Sequence, residues 1–445
     1  MHVQRIVLIQ PRHQGTIWGK AAGSPYTLMR LASMTPNDLP VEIWDENLGP
    51  LDYARLNANT LVGISSMTLT IDGAREIAAQ AHERGSKVVV GGVHSTLVPE
   101  DVAAWSDAVV VGEAYHTWQR IISDFEANHL EPRYVDETWE SLDHLAPISD
   151  RVIQLTDEHR SYWTPSLEIT RGCPRNCSFC TAIRVSGKLM RLRPIDHVVE
   201  EIERRKLKRF FLTDDNFGLN FRLHPEYMEQ LFRRLAKLPL DSWSAQSEMM
   251  VAQFPDLLAL AREAHLDKFF IGFESVNAGN RRDLGGKSQG KVEEYRRAVK
   301  AIHAHGIAVV GLFVTGFDHD TPSVFQDTWN FVRATEFDSV SATVLTPFPA
   351  TPQREELIRQ NRLLPNVPWR HYDTAHVTFE PALMSADQLR EGYDWLCRQL
   401  YSPRSIAVRG VRALRRHPLR RAHAKAFSIF STDLGYRKAY GLRAT

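Results

Sequence analysis

The sequence predicts an α/β protein built from two successive parallel-sheet units: a doubly wound, Rossmann-like sheet, then a partial (β/α)6 barrel, followed by a mostly helical C-terminal region. Three observations predict it. Short apolar runs alternate with amphipathic ones from residue 4 to about 126, and again from about 165 to 350. Glycines cluster where the first set of apolar runs ends, and three cysteines crowd one Gly/Pro/Asn-rich loop at the start of the second block. The expected divisions are 1–130, a linker over 131–164, 165–350 and 351–445.

In the first block the strand candidates are Arg5–Ile9, Val41–Trp44, Leu61–Ser65, Lys87–Val90 and Ala108–Val111. Helical patterns lie between them, the clearest from Ile71 to Arg84, ended by Gly85. Strands alternating with helices imply a parallel sheet whose ligands bind beyond the carboxyl ends of its strands. Gly63, Gly91, Gly92 and Gly112 sit at those ends, where a missing side chain lets a ligand reach the backbone.

The second block repeats strand then helix six times, with strands at Leu167–Thr170, Phe210–Thr213, Trp243–Ser247, Phe269–Phe273, Val309–Val314 and Ser341–Leu345. Helical segments follow at about 195–206, 223–237, 253–264, 290–305 and 321–335. Six units fall short of the eight of a closed barrel, and barrels of this kind do their chemistry at the C-terminal strand ends. Those ends carry Asp214-Asp215-Asn216, Gln246-Ser-Glu248, Glu274-Ser275, Thr315-Gly316-Phe317 and Thr346-Pro-Phe-Pro349. Any one of these polar residues would pass for a solvated turn residue; their recurrence at five consecutive ends marks a binding surface.

Cys173, Cys177 and Cys180 are spaced C-x3-C-x2-C on the loop after the first strand of this block. Three close thiolates on such a loop suit an iron–sulfur cluster, and a four-iron cluster so held keeps one iron open for a non-protein ligand. Zinc would need a fourth N or S donor, and no His or Cys follows Cys180 closely. Four cysteines in 445 residues make no disulfide framework. Cys397, in a helical segment, reads as a small buried hydrophobe.

With Phe179 just before the last cysteine, the motif resembles the signature of the radical S-adenosylmethionine (SAM) enzymes. That resemblance implies a 4Fe-4S cluster on Cys173, Cys177 and Cys180, with SAM chelating the open iron and cleaved to a deoxyadenosyl radical by an electron from an external donor of flavodoxin or ferredoxin type. It assigns SAM contacts to residues after the second to fourth strands: Asp214, Asp215, Gln246, Glu248 and Glu274, with Ser275 and Phe179 beside them. No Arg or Lys stands out as a donor to the SAM carboxylate.

The first block resembles the cobalamin-binding domain that precedes the radical SAM domain in one large subfamily, through Gly63-Ile-Ser-Ser-Met-Thr68, Val90-Gly-Gly-Val-His94 and Val111-Gly-Glu113. Ser65, Thr68, Gly91, Gly92 and Gly112 are carried over as cobalamin contacts. The alternative is a plain Rossmann-like domain; the first turn lacks G-x-G-x-x-G, which counts against a dinucleotide. Cobalamin proteins that coordinate cobalt from below use D-x-H-x-x-G after the first strand. Here Pro11 replaces the Asp and Gly15 falls one residue early, so His13 lacks the carboxylate that usually orients a metal-bound imidazole, and reads by default as a solvated loop residue.

The resemblance spans roughly residues 3–405 and looks most like the branch that includes the hopanoid C-methylases and the anaerobic Mg-protoporphyrin ester cyclase. It implies a C-methyltransferase acting on an unactivated carbon of a small-molecule or lipid substrate, with two SAM molecules consumed per turnover. Oxidative cyclisation or rearrangement with the same cofactors is the runner-up. A cobalamin sensor with a structural cluster would have no need for six barrel units with polar strand ends. The substrate pocket is expected between the two blocks, with His371, Tyr372 and His376 as candidate lining residues.

Composition fits two or three globular domains, at 43% hydrophobic and 24% charged. The four-residue apolar run near the N-terminus reads as a buried strand rather than a signal peptide, and no apolar stretch approaches a membrane span of about 20 residues. The expected location is cytoplasmic. The net charge of +1 hides eleven Lys/Arg against the single acid Asp433 between Arg404 and Arg443. That tail reads either as a face for an anionic membrane or as a solvated helix packed on an acidic flank of the barrel, with Pro418 interrupting it. Nucleic acid is not expected, because no stacking platform or recognition motif accompanies the charge.

Overall fold

The computed structural model describes residues 5–13, 23–136, 138, 141–156, 161–284, 291–416, 429–438 and 440–441. The apolar runs of the first block become β1 (Arg5–Gln10), β2 (Val41–Asp45), β3 (Thr60–Ser65), β4 (Lys87–Gly91) and β5 (Ala108–Gly112), all parallel. Alternate residues of a strand point to opposite faces, and both faces are covered. Ile6 and Leu8 pack with Leu28, Met29 and Trp118 on one side; Val7 and Ile9 pack with Ile71 and Ile77 on the other. Burial on both faces is why these runs are continuously apolar rather than alternating.

The strand order is β2-β1-β3-β4-β5-β6, where β6 (Arg133–Asp136) extends the sheet into the stretch expected to be linker. Its sequence carries little strand signal because it is an edge strand: Tyr134 is buried, while Val135 faces solvent. The chain leaves β1 for β2 on one side and returns to β3 on the other. That switch opens a crevice beyond the carboxyl ends of β1 and β3.

The second block holds β7 (Ser166–Leu167), the antiparallel pair β8 (Thr170–Arg171) and β9 (Arg191–Leu192), then β10 (Arg209–Leu212), β11 (Ser242–Ser247), β12 (Leu266–Glu274), β13 (Ala308–Thr315) and β14 (Ser339–Val344). Six of them form a sequential sheet, β7-β10-β11-β12-β13-β14, every neighbouring pair parallel. The expected single strand Leu167–Thr170 is divided, and the cause is local: the Asp214 carboxylate accepts the N–H groups of Ile169 (2.9 Å) and Thr170 (2.8 Å), which then have none to give a neighbouring strand.

The outer edge of β14 is closed by side chains rather than by another strand. Tyr401 Oη donates to Val340 O (2.7 Å), Tyr393 Oη to Ala342 O (3.2 Å), and Tyr440 also reaches Ala342 O. These tyrosines belong to the helix Ala386–Leu400 and the segments after it, so the C-terminal region caps an edge that would otherwise invite strand pairing. Among the described residues of the tail itself, Tyr440 reaches Ala342 O and Asp433 accepts from Ser339 Oγ (2.5 Å). The tail's Pro418, Leu419, Arg420, Arg421, Lys425 and Phe427 lie outside the described residues.

One place where the two blocks meet is the buried carboxylate of Glu201. Glu201 binds Arg30 (3.1 Å) from the first block and Arg193 and Arg205 (both 2.8 Å) from the second, and Tyr26 Oη donates to it at 3.0 Å. Burial alone would raise the Glu201 pKa; Arg193, Arg30 and Arg205 override that and hold it well below the usual carboxylate range.

Candidate active site

The cysteine loop springs from the β8–β9 hairpin. Gly172 leaves β8 at φ +97°, and a Cβ there would lie 2.2 Å from Leu189 O, so only glycine can pass under that carbonyl. Cys173 N then donates to Gly187 O (3.1 Å), and Cys180 N to Cys177 O (3.2 Å). Cys173 and Cys177 are buried, Cys180 is half-exposed, and none is in a disulfide. Among the described residues no three His, Cys, Asp or Glu side chains converge tightly enough for a single metal ion. Three thiolates brought onto one loop suit an iron–sulfur cluster.

The polar strand ends of the second block gather round this loop, though not all as expected. Both oxygens of Asp214 are committed to the chain entering it: Ile169 N, Thr170 N and Thr170 Oγ1 (2.7 Å) all donate to this carboxyl, which burial pushes up to about 8. Asp215 accepts from Gly172 N (3.0 Å), and burial raises its pKa despite Arg171. Both acids thus hold the backbone that enters the cysteine loop. Glu248 is likewise engaged, in a two-point pair with Arg175 (2.6 and 3.0 Å), which lies between Cys173 and Cys177. Arg175 was missed in the sequence, although an Arg inside the cysteine motif was there to read.

Asn216, read in the sequence only as one of the polar strand-end residues, sits beside the cysteine loop. It is buried, its Nδ2 lies 3.9 Å from Cys173 Sγ, and its Oδ1 has no hydrogen-bond partner. Phe179 packs edge-on against Phe317 after β13 (centroids 5.8 Å apart), and Ser178 O accepts from Gln353 N (3.0 Å) at the start of the helix Pro352–Arg359. Gln246 is half-buried near the end of β11. Glu274 ends β12 in a left-handed conformation (φ +60°) at a register shift in the sheet, a strained backbone of the kind that clusters at functional sites. Ser275 Oγ accepts from Asn277 N and Asn280 Nδ2 (both 3.1 Å).

The crevice of the first sheet is built from interlocked loops. Gly92 (φ +100°) lies so close to the β3 loop that a Cβ would meet Ser66 O at 2.6 Å and Ser66 N at 2.8 Å. The glycine is thus required by the protein's own backbone before any ligand is considered. Gly92 O accepts from Thr96 Oγ1 (2.9 Å), and Thr96 Oγ1 accepts from Gly112 N (3.0 Å), which ties the ends of β4 and β5 together. Thr68 is buried, its Oγ1 3.3 Å from His94 Nδ1, while Ser65 and Gly91 are half-buried. His13 is half-buried: its backbone N donates to Asn47 Oδ1 (3.0 Å), its Nδ1 is buried with no hydrogen-bond partner among the described residues, and burial lowers its pKa. Gly15 of the same motif lies outside the described residues.

The crevice and the cysteine loop are joined directly. Glu113, just past β5, pairs with Arg191 through two contacts (2.6 and 2.8 Å) and with Arg171, two residues before Cys173. Burial would raise the Glu113 pKa, but Arg191 and Arg171 lower it overall. A second bridge comes from the C-terminal region, where Trp369 packs edge-on against His94 (5.0 Å) and Arg370 N donates to Asp72 Oδ2 (3.4 Å). Of the expected pocket-lining residues, Tyr372 is buried and hydrogen-bonded to Arg354 (3.1 Å), and His371 stacks on His376 (4.3 Å).

Fold and site together define a protein that pairs a cobalamin crevice with an iron–sulfur loop. Residues 167–332 match the radical SAM superfamily model and residues 46–122 the B12-binding domain model. The bacteriochlorophyllide d C-12(1)-methyltransferase of Chlorobaculum tepidum is 31% identical over 91% of this chain and 88% of its own length. The hopanoid C-2 methylase of Rhodopseudomonas palustris is 25% identical over 90% and 74%. The structure of TsrM, a radical SAM methyltransferase from Kitasatospora setae with cobalamin and a [4Fe-4S] cluster bound, superposes with a TM-score of 0.67 over 98% of this chain and 99% of that one, at 15% identity, and shows the same fold. The chain belongs to the cobalamin-dependent radical SAM methyltransferase family. It is an enzyme whose cofactors are a 4Fe-4S cluster, SAM and cobalamin. No helix of the described residues is long and apolar enough to cross a membrane.

Proposed function

We propose that the enzyme methylates an unactivated carbon of a small-molecule or lipid substrate held between its two sheets. The observation that carries this is the Glu113 link from the end of β5 to Arg171 and Arg191, which sets the crevice of the first sheet beside the cysteine loop of the second. The cofactors supply a hydrogen-abstracting radical from SAM and a methyl group from cobalamin; the protein's part is to align them and to exclude water and oxygen. Cys173, Cys177 and Cys180 hold the cluster, with Asp214, Asp215, Arg175 and Glu248 fixing the loop around them. Gln246, Glu274 and Ser275 line the SAM site with Phe179, and Ser65, Thr68, Gly91, Gly92 and Gly112 line the cobalamin crevice. Residues 1–130 and 165–350 are the two cofactor units, with β6 docked on the first. A flavodoxin- or ferredoxin-type protein in the cytoplasm delivers the electron.

The two relatives named for C-methylation of a bacteriochlorophyllide and of a hopanoid support methyl transfer over cyclisation, and they name the first two substrates to test. The test is anaerobic turnover with SAM labelled at its methyl group. Label in the product, with both deoxyadenosine and S-adenosylhomocysteine formed, is the expected result. Deoxyadenosine without S-adenosylhomocysteine would point to oxidative cyclisation or rearrangement instead.

A further inference from the structure

The C-terminal helices carry their apolar residues on the wrong side for a solvated surface. The helix Pro403–Arg416 turns Ile406, Arg409 and Ala413 inward. Its outer face shows Val408, Val411 and Leu414, and the neighbouring helical residues 429–438 show Phe430 and Leu434, all between 40% and 46% exposed. Residues 404, 408, 411 and 415 follow the i, i+4, i+7 spacing of a single stripe, so the aliphatic row runs between Arg404 and Arg415, with Arg412 beside it. On the second helix Phe430, Leu434 and Lys438 repeat the pattern at i, i+4 and i+8. The only acid of either helix, Asp433, is fully buried, bound by Arg409 (2.7 Å) and Ser339 Oγ (2.5 Å). The described outward side chains of the two helices therefore include aliphatic, aromatic and cationic groups and no carboxylate. Trp163 is 64% exposed beside this pair, within 3.8 Å of a Cβ built on Gly435, where its amphipathic ring forms a rim.

We propose that this helix pair is a docking face for an anionic lipid surface. Aliphatic side chains flanked by arginines, with an indole at the edge, match the boundary between acyl chains and negative headgroups. Burial of five aliphatic and aromatic side chains supplies attraction that does not depend on salt; the arginines add attraction that does. The face lies away from the chemistry. Asp433 is anchored to Ser339, the first residue of β14, and so to the amino end of a strand whose carboxyl end faces the site. Docking there tethers the enzyme and leaves its catalytic end unobstructed, so the inference stands independently of which carbon is methylated.

Vesicle flotation of the full chain tests it. The chain should float with vesicles of phosphatidylcholine mixed with phosphatidylglycerol at low salt, and should stay behind with phosphatidylcholine alone. Arg412→Glu with Arg415→Glu should cut binding about tenfold or more, since each cation near such a surface contributes roughly 1 kcal/mol and 1.4 kcal/mol is tenfold. Val408→Ser, Val411→Ser and Leu414→Ser together should abolish binding at moderate salt. All five positions are outward-facing, and an unchanged melting temperature confirms that the fold survives. Flotation equal in wild type and variants, or none in wild type, would overturn the proposal. So would self-association in sedimentation velocity that the same substitutions abolish, because the face would then belong to a second copy of the chain.

Discussion

Glu113 and Arg191 form a two-point ion pair that joins the end of β5 to the hairpin carrying the cysteine loop. Arg191 stands opposite Arg171 in that hairpin, and two like charges in register repel. Glu113 resolves the repulsion by binding both. Neither block could form this contact alone, so the end of the first sheet is part of the cluster loop's support.

Removing Glu113 should accordingly be costly. Glu113→Ala leaves two guanidinium groups facing each other without their carboxylate, and breaking a buried pair in this way costs about 3–5 kcal/mol. Urea denaturation should show that loss. Arg171 keeps its contact with Glu168 (2.9 Å), so Arg171→Ala should also disturb Glu168 and exceed the effect of an exposed pair such as Arg233–Glu229.

Asp214 should govern cluster loading without touching the cluster. Asp214→Ala strands the N–H groups of Ile169 and Thr170 and the Thr170 hydroxyl in a buried place. Each unsatisfied buried group costs about 1–3 kcal/mol. Iron and sulfide per chain after anaerobic reconstitution should fall well below wild type. Full loading in this variant would show that the loop holds its shape without the carboxylate.

The strands were legible because burial on both faces writes them as unbroken runs such as Ile6–Ile9 and Val88–Val90. β6 was not, since an edge strand with one buried tyrosine writes almost nothing. Cys173, Cys177 and Cys180 announce their chemistry by spacing alone. The carboxylates around them do not, because an acid at a strand end looks the same whether it accepts from a ligand or from backbone far off in the sequence. Asp214 and Asp215 do the latter. Glu113 was visible as part of Val111-Gly-Glu113, but its partners lie far along the chain, and no local pattern ties a residue to Arg171 and Arg191.

The fourth cysteine should prove inert. Cys397 is buried in the helix Ala386–Leu400, and burial pushes its thiol up to about 12, so it has almost no nucleophilic thiolate near neutral pH. Cys397→Ala should load iron normally and form deoxyadenosine, whereas alanine at Cys173, Cys177 or Cys180 should abolish deoxyadenosine formation. Iron loss in Cys397→Ala with retention in a loop variant would reverse the assignment.

Gly92→Ala should damage the crevice even without ligand. The new methyl group would press on the Ser66 backbone from a left-handed conformation, a strain of about 1–3 kcal/mol. Ser66 O also accepts from His94 N (3.2 Å), so the two loops should separate together. Retention of hydroxocobalamin on gel filtration should drop sharply, with a smaller fall in melting temperature.

His94 should make the same crevice sensitive to acid. It is fully buried between Thr68, Asp101 and Trp369, and burial lowers its pKa below 6.5, although Asp101 works in the opposite direction. In the unfolded chain the imidazole takes up a proton at about pH 6.5, while the folded protein resists until the pH is lower. Between those two values the unfolded state binds more protons, so stability falls as pH drops below about 6.5 and His94 contributes no pH dependence above it. The loss cannot exceed about 1.4 kcal/mol per pH unit below that point. His94→Asn removes the titrating group while keeping hydrogen-bonding atoms near Thr68. Urea midpoints measured at about pH 5.5 and 7.5 should therefore differ more for the wild type than for the variant, and equal differences would clear His94 of the effect.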